Sequence, residues 1–155
     1  MALIEDPGAV LDAPAIARAP RLLALSVGGE DLALALGATP TPAVLHLPKL
    51  LVHYAAKAAG LLSLGLLRST ADYTDLRAIE AAVREAREHG FDGATCVHPS
   101  IVPLLNAGFA PSQAEREWAA RVLAEAAHHA DAFELDGKMI DAPVVARARA
   151  IRDAR

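Results

Sequence analysis

Two acidic residues stand just beyond the first two apolar runs of the sequence. Glu5 closes the run at 2–5, and Asp31 follows the run at 22–27 after the pair Gly28–Gly29. In a parallel α/β fold the carboxyl ends of the strands form the functional face, so both carboxylates would point into one mouth. Mg²⁺ typically takes one or two carboxylates together with water and substrate oxygens. The spacing therefore favours a Mg²⁺ site at Glu5 and Asp31.

A simpler interpretation of these acids needs no ligand. Acids in the first turn of a helix are stabilised by free backbone N–H groups and by the helix dipole, which would account for Asp31 and its neighbour Glu30. Glu5 would then be a solvated loop acid. The spacing alone leaves both interpretations open.

Four short apolar runs predict the β-strands that must position these acids. They are ALIE (2–5), LLALSV (22–27), LLSLGLL (61–67) and ATCVH (94–98). Each run is followed by a segment of helical character, which predicts a parallel sheet built of right-handed βαβ units. Residues 37–48 carry three prolines and are predicted to form a loop on the strand-end face. Because a complete (β/α)8 barrel needs about 250 residues, four such units correspond to half of one.

The segment after the third run is the clearest helix in the sequence. Apolar residues recur at helical spacing from Leu76 to Ala86, charged residues occupy the opposite face, and Gly90 ends the pattern. Asp72 and Asp75 precede this segment and are expected to cap the helix.

The last part of the sequence is predicted to be mainly helical. The capping-box pattern SQAE at 112–115 opens an amphipathic helix, FELDGKMIDAP predicts a turn-like connection, and a final helix is expected from about Pro143 to Arg152. We predict a half-barrel with the strand-end metal site at 1–110. A C-terminal helical extension at 111–155 is expected to pack on the barrel or on a neighbouring subunit.

Length and composition predict an ordinary globular protein. The chain has 155 residues, of which 54% are apolar and 22% charged, and its net charge of −4 argues against a nucleic-acid partner. Charged residues such as Lys49 and Lys57 interrupt the longest apolar stretch, so no membrane span is expected. The single cysteine, Cys96, and the absence of a signal-peptide pattern in the sequence predict a cytoplasmic location.

Four blocks of the sequence resemble a known enzyme family. The blocks are ALIEDPGAVLDAPAIA, LALSVGGEDLALALG, GFDGATCVHPSIVPLLNAGFAPS and DGKMIDAPVVARA. In this order they resemble the citrate lyase beta subunit and related CoA-ester lyases of the HpcH/HpaI aldolase superfamily. The resemblance covers nearly the whole chain. It implies an α/β fold formed by the C-terminal half of a (β/α)8 TIM barrel, with a C-terminal helical arm.

The resemblance implies roles for the acids at the strand ends. Glu5 and Asp31 would bind Mg²⁺, and coenzyme A would form part of the substrate. Backbone N–H groups of Gly29, Glu30 and Asp31 would hold the substrate carboxylate. The glycines would let the backbone approach the ligand closely.

Two residues outside this block also match the family pattern. Asp141 in KMID resembles an aspartate that moves a proton in the active site of a neighbouring subunit, in relatives that cleave malyl- or citramalyl-type thioesters. Asp141 also stands just before Pro143, where it could simply cap the last helix. His98 in VHPS matches the family's HP block, and for His98 we favour a structural role over a catalytic one.

The resemblance implies a Mg²⁺-dependent carbon–carbon lyase that cleaves a 3-hydroxyacyl-CoA-like thioester of the citryl-, malyl- or citramalyl-CoA class. This chain would supply the metal-binding half, whereas the family's arginine lies in the other barrel half. We therefore expect a homo-oligomer or association with an N-terminal barrel half. Two alternatives stay open: a catalytically incomplete assembly or metal-binding module, and a 2-oxo acid aldolase of the same superfamily. KMID favours the CoA-ester branch over the second.

Overall fold

Three parallel β-strands organise the first part of the chain. The computed structural model describes residues 1–71 and 73–154, and the chain divides into two compact units, Met1–Phe109 and Ala110–Arg155. The strands of the first unit are β1 (Ala2–Ile4), β2 (Ala24–Val27) and β3 (Leu62–Leu64), hydrogen-bonded in the order β1-β2-β3. The predicted α/β class and the first three predicted strands are therefore confirmed.

The described residues of the first unit also form six α-helices and one 3-10 turn. They are α1 (Pro7–Leu11), α2 (Ala13–Ile16), α3 (Gly29–Ala35), α4 (Pro42–Ala58), α5 (Leu76–Glu88), the 3-10 turn Pro99–Ile101 and α6 (Val102–Phe109). Asp75 caps α5 by accepting a hydrogen bond from the Ala78 N–H at 3.0 Å, as expected, while Asp72 lies outside the described residues. Over the described residues, no helix is long and apolar enough to cross a membrane.

The two faces of the sheet have different surroundings. Ile4 and Leu25 point to the face that carries the helices, where they join a buried cluster with residues such as Val52 of α4. Leu3 and Leu62 belong to the opposite face by register, and each remains 50% exposed. Burial of apolar surface therefore fixes the sheet to its helices on one side only.

The fourth predicted strand, at 94–98, does not form. Within the described residues, its region is joined to the sheet by one parallel bridge between Leu64 and Gly93, with the Gly65 N–H donating to the Gly93 carbonyl at 2.9 Å. Gly65 has φ +146°, a conformation outside the strand region, so β3 ends there. Residues 94–98 consequently have no continuing strand beside them to pair with.

The predicted loop at 37–48 is a loop only up to residue 41, and residues 42–48 form the start of α4. Helix α4 begins at Pro42, which is favourable because the first helical position needs no backbone N–H donor. Leu45, Lys49 and Val52 then recur at helical spacing and are all buried, which carries the helix past Pro48. Packing of this face outweighs the hydrogen bond that Pro48 removes.

Residues 110–154 of the second unit form two helices and a hairpin. They are α7 (Gln113–Ala126), β4 (Phe133–Leu135), β5 (Lys138–Ile140) and α8 (Ala142–Asp153). The predicted capping box is present, since Ser112 and Glu115 bond each other's backbone N–H groups. The predicted turn-like connection is an antiparallel β-hairpin, because Asp136 and Gly137 both take positive φ values of 53° and 73° and form a tight turn.

Candidate functional site

A pocket of about 190 Å³ opens at the carboxyl end of the sheet. One wall is the continuous segment 27–31, which links β2 to α3. The opposite wall comes from the segment after β3, with Ser69 and Thr70, and from Thr95. A site at this edge draws its residues from the ends of separate strands, which is how parallel α/β proteins build functional sites.

Glu5, at the end of β1, does not line this pocket but lies against Gly28, which does. A Cβ atom placed on Gly28 would lie only 2.5 Å from Glu5 Oε1, so the carboxylate occupies the space that any other residue at 28 would fill. Gly28 is therefore required for close approach rather than for its backbone angle, since its φ of −78° is open to most residues. The structure thus brings Glu5 to the β2–α3 junction that carries Asp31.

Helix α3 begins at this junction with acids in its first turn. Glu30 and Asp31 occupy that turn, and the N-cap Gly28 supplies no side-chain hydrogen bond. The backbone N–H groups of Gly29, Glu30 and Asp31 are among those that a helix leaves without intrahelical partners. The first turn therefore offers donors to a carboxylate, and its dipole also favours the two acids themselves.

Glu30 is held by protein groups rather than free. The Ser69 hydroxyl donates a hydrogen bond to Glu30 Oε1. Burial lowers the pKa of the Lys49 ammonium group, and the charge of Glu30 offsets part of that lowering. Glu30 therefore connects the two walls of the pocket through its side chain.

Lys49 is a charged residue of this site that the sequence interpretation missed. Its side chain is buried, and Nζ donates to the carbonyl oxygens of Leu66 and Arg68, each at 2.8 Å. A Cβ atom on Gly29 would lie 3.5 Å from Nζ, so the ammonium group packs against the start of α3. Burial lowers the pKa of Lys49 to about 8, against the opposing charge of Glu30. The missed signal was its spacing, four residues after the buried Leu45 on α4.

His53 is a buried residue of α4 that has a structural role. Its Nδ1 lies 2.9 Å from the Ser63 hydroxyl oxygen, and its ring stacks on Phe91 with centroids 4.4 Å apart. Burial is the main cause of its lowered pKa, which favours the neutral ring. His53 thus joins α4 to β3 through a satisfied buried contact.

His98 has the structural role that the sequence favours. Its Nδ1 accepts a hydrogen bond from the Ser100 N–H at 3.2 Å, which caps the 3-10 turn. Its ring stacks on Tyr73 with centroids 4.7 Å apart. These contacts fix His98 at the start of the turn.

Asp141 belongs to the second unit, whereas Glu5 and Asp31 belong to the first. Its carboxylate accepts a hydrogen bond from the Val144 N–H at 3.3 Å and so caps α8, as the simpler interpretation predicts. Asp141 also lines a cavity of about 420 Å³ together with His129 and Arg149. A part in proton transfer stays a prediction.

The fold and this edge of the sheet define the chain as a parallel α/β protein with acids and helix N–H groups at its strand ends. A model of the HpcH/HpaI aldolase/citrate lyase family matches residues 1–99, and the chain belongs to this family. A citrate lyase subunit beta-like protein of Mycobacterium tuberculosis is 31% identical, over 96% of this chain and 56% of that protein. A (3S)-malyl-CoA thioesterase of Cereibacter sphaeroides is 36% identical, over 96% of this chain and 53% of its own.

Solved structures agree with this assignment. The crystal structure of CitE from Mycobacterium tuberculosis in complex with magnesium, acetoacetate and coenzyme A superposes with a TM-score of 0.87 at 31% identity. The match covers 97% of this chain and 58% of that one. The chain thus spans about half the length of the curated relatives that it matches.

Proposed function

We propose that this chain supplies the metal-binding half of a carbon–carbon lyase of the citrate lyase beta type, acting on a 3-hydroxyacyl-CoA thioester. The observation that carries the proposal is the Glu5 carboxylate seated against Gly28, at the junction that presents Asp31 and the first-turn N–H groups of α3. Two similar proteins point the same way, since CitE was solved with magnesium and coenzyme A and another relative is a malyl-CoA thioesterase.

We further propose that the sheet is part of a (β/α)8 barrel, with 1–110 as the half-barrel and 111–155 as an extension that reaches a barrel or a neighbouring subunit. Leu3 and Leu62 support this, because an apolar sheet face left half exposed needs a cover. In the described part of the chain β1 has β2 as its one strand neighbour, so its other edge is open to a further strand. A second barrel half or another copy of this chain would provide that cover.

The residues at the strand ends fit a magnesium ion. Glu5 and Asp31 offer hard carboxylate oxygens at the ends of adjacent strands, and both side chains are exposed to solvent. Two carboxylates, with the other positions left for water and substrate oxygens, are the set that Mg²⁺ accepts. When bound, the ion would polarise the oxygens of the substrate's small-acid portion.

The chain's own groups would hold and orient the substrate. The N–H groups of Gly29, Glu30 and Asp31 would donate to its carboxylate, and the Lys49 ammonium group behind Gly29 would add a fixed positive charge. Cleavage would break the C2–C3 bond of the thioester while the C3 hydroxyl gives its proton to solvent water and becomes a carbonyl. The bonding electron pair passes into a thioester enolate, which takes up a proton at carbon. Asp141 is the proposed donor of that proton, acting in a neighbouring chain.

Titration calorimetry with Mg²⁺ and oxalate, as a mimic of the small acid, tests the proposed site. We expect ternary binding by the folded chain and its loss in Glu5→Ala and in Asp31→Ala. Asp6→Asn is the matched control, because Asp6 is the neighbouring acid but caps α1 with bonds that asparagine also makes. No specific binding by the wild-type chain, or equal loss in Asp6→Asn, would overturn the metal site.

A cleavage assay tests the proposed reaction. Malyl-CoA, citramalyl-CoA and citryl-CoA are supplied with Mg²⁺ to the chain combined with an N-terminal barrel half from a relative. Formation of an acyl-CoA and an oxo acid is the expected result. Metal binding without turnover would favour the assembly-module alternative, and cleavage of free hydroxy-oxo acids alone would favour a 2-oxo acid aldolase.

A further inference from the structure

A second cluster of metal-ligating side chains lies on the helices of the first unit. His46 of α4 meets Glu85 of α5 and His89, the C-cap residue directly after α5. One ligand atom from each lies within 4.8 Å of the other two. None of the three lines the strand-end pocket, so the proposed lyase site does not account for them.

We propose that His46, Glu85 and His89 bind a zinc ion. Two imidazole nitrogens with one glutamate oxygen form a donor set that Zn²⁺ accepts readily, with a fourth position left for water. Mg²⁺ prefers oxygen ligands throughout, so the strand-end carboxylates and this cluster select different ions.

The distances suit a tetrahedral ion. Zinc binds nitrogen at about 2.0–2.1 Å and carboxylate oxygen at about 2.0–2.2 Å, so neighbouring ligands lie about 3.4 Å apart. His46 Nε2 and Glu85 Oε1 are 3.3 Å apart, which already matches one edge of the tetrahedron. These two side chains are 38% and 46% exposed, and His89 is also exposed, so small rotations can close the other edges.

The backbone favours a cation at this place. Glu85 and His89 are one helical turn apart, so their side chains share a face of α5. His89 keeps a helical backbone, with φ −76° and ψ −8°, at the carboxyl end of that helix, where the dipole is negative. An ion pair would account for the contact between His46 and Glu85, but it would not account for His89 beside them. The rings of His89 and His46 meet edge to face, with centroids 5.6 Å apart.

A bound ion would join two helices that are distant in sequence. His46 and Glu85 are separated by 39 residues, so the site would close a long loop of the chain. Binding to the folded state alone raises the stability of that state. Zinc is therefore expected to raise the melting temperature of the chain.

Titration of the full chain with Zn²⁺ in excess Mg²⁺ tests the site. We expect one zinc ion per chain and an affinity at least about ten-fold weaker in each of His46→Gln, Glu85→Gln and His89→Gln. His129→Gln is the matched control, because His129 and Glu125 also form an i,i+4 pair, with atoms 3.9 Å apart, where Glu125 lies in the last turn of α7 and His129 just after its end. The proposal would be overturned if the wild-type chain binds no zinc, or if the zinc affinity of the control falls as much as that of the cluster variants.

X-ray absorption spectroscopy of the zinc-loaded wild-type chain gives an independent answer that needs no variant. Two imidazole ligands in the first coordination shell are the expected result. A shell of oxygen atoms alone would place the ion elsewhere and would refute this site.

Discussion

Lys49 carries a buried charge whose titration is linked to folding. Its pKa falls from 10.5 to about 8 on burial, so between these values the unfolded chain binds more protons than the folded one. Stability from this group therefore rises with pH through that interval. We expect the free energy of unfolding of wild type, relative to Lys49→Met, to increase by about 3 kcal/mol from pH 8 to 10.5. Urea denaturation measures this, and a flat difference would contradict the assignment.

The metal site can be tested without removing a proposed ligand, by changing Gly28, which packs against the Glu5 carboxylate. Gly28→Ala is expected to displace the Glu5 carboxylate, because the added Cβ would lie 2.5 Å from Oε1. Folding should persist, since the backbone angle is ordinary, while Mg²⁺ and oxalate binding weakens at least about ten-fold. Gly93→Ala, whose Cβ meets an ordinary 3.6 Å contact, is the control in the same calorimetric titration.

At the scale of elements, the packing of α6 on α5 depends on one small residue. A Cβ atom on Gly108 would lie 2.3 Å from Val83 Cγ1, so Gly108→Ala is expected to destabilise the chain by about 1–3 kcal/mol. The double variant Val83→Ala, Gly108→Ala should recover part of this loss, because the clashing methyl group is removed. Thermal or urea denaturation of the four proteins of the cycle measures the coupling, and strict additivity would contradict the contact.

The elements that were predictable are those whose local pattern and packing agree. Helix α5 follows its apolar spacing, and Ser112 opens α7 as its capping box predicts. Residues 94–98 have strand composition, but Gly65 ends the neighbouring strand before pairing can extend. The pair Asp136–Gly137 is typical of a β-hairpin turn, but its flanking strands have only three residues each, too few for an alternating pattern to be recognised in the sequence.

The candidate site was predictable only in part, for a physical reason. Strand-end acids such as Glu5 and Asp31 follow from the order of runs along the chain. The role of Lys49 could not be predicted in this way, because a lysine is expected at the protein surface. Its burial depends on the carbonyl groups of Leu66 and Arg68, which the sequence does not place beside it. The zinc cluster also joins helices that are far apart in sequence.

For the whole molecule, the half-exposed sheet face predicts association. Leu3 and Leu62 should be covered by a partner surface, either another copy or a barrel half. We expect wild-type chain alone to self-associate, and the double variant Leu3→Glu, Leu62→Glu to do so less. Sedimentation over a range of concentrations measures this, with the exposed helical Leu11→Glu as control. A wild-type chain that stays monomeric at all concentrations would contradict the prediction.

The small core of the second unit has a consequence for how often that unit opens. Its buried apolar residues are Ala119, Val122, Ile140 and Ala148, a small core for about 45 residues, and larger neighbours such as Trp118 are only partly buried. Backbone amides of α7 and α8 should therefore exchange with solvent through local opening well before those of α4. We therefore expect Asp141 to lie in a segment that opens more readily than α4, so that the proton transfer proposed for it would depend on how often that segment is closed.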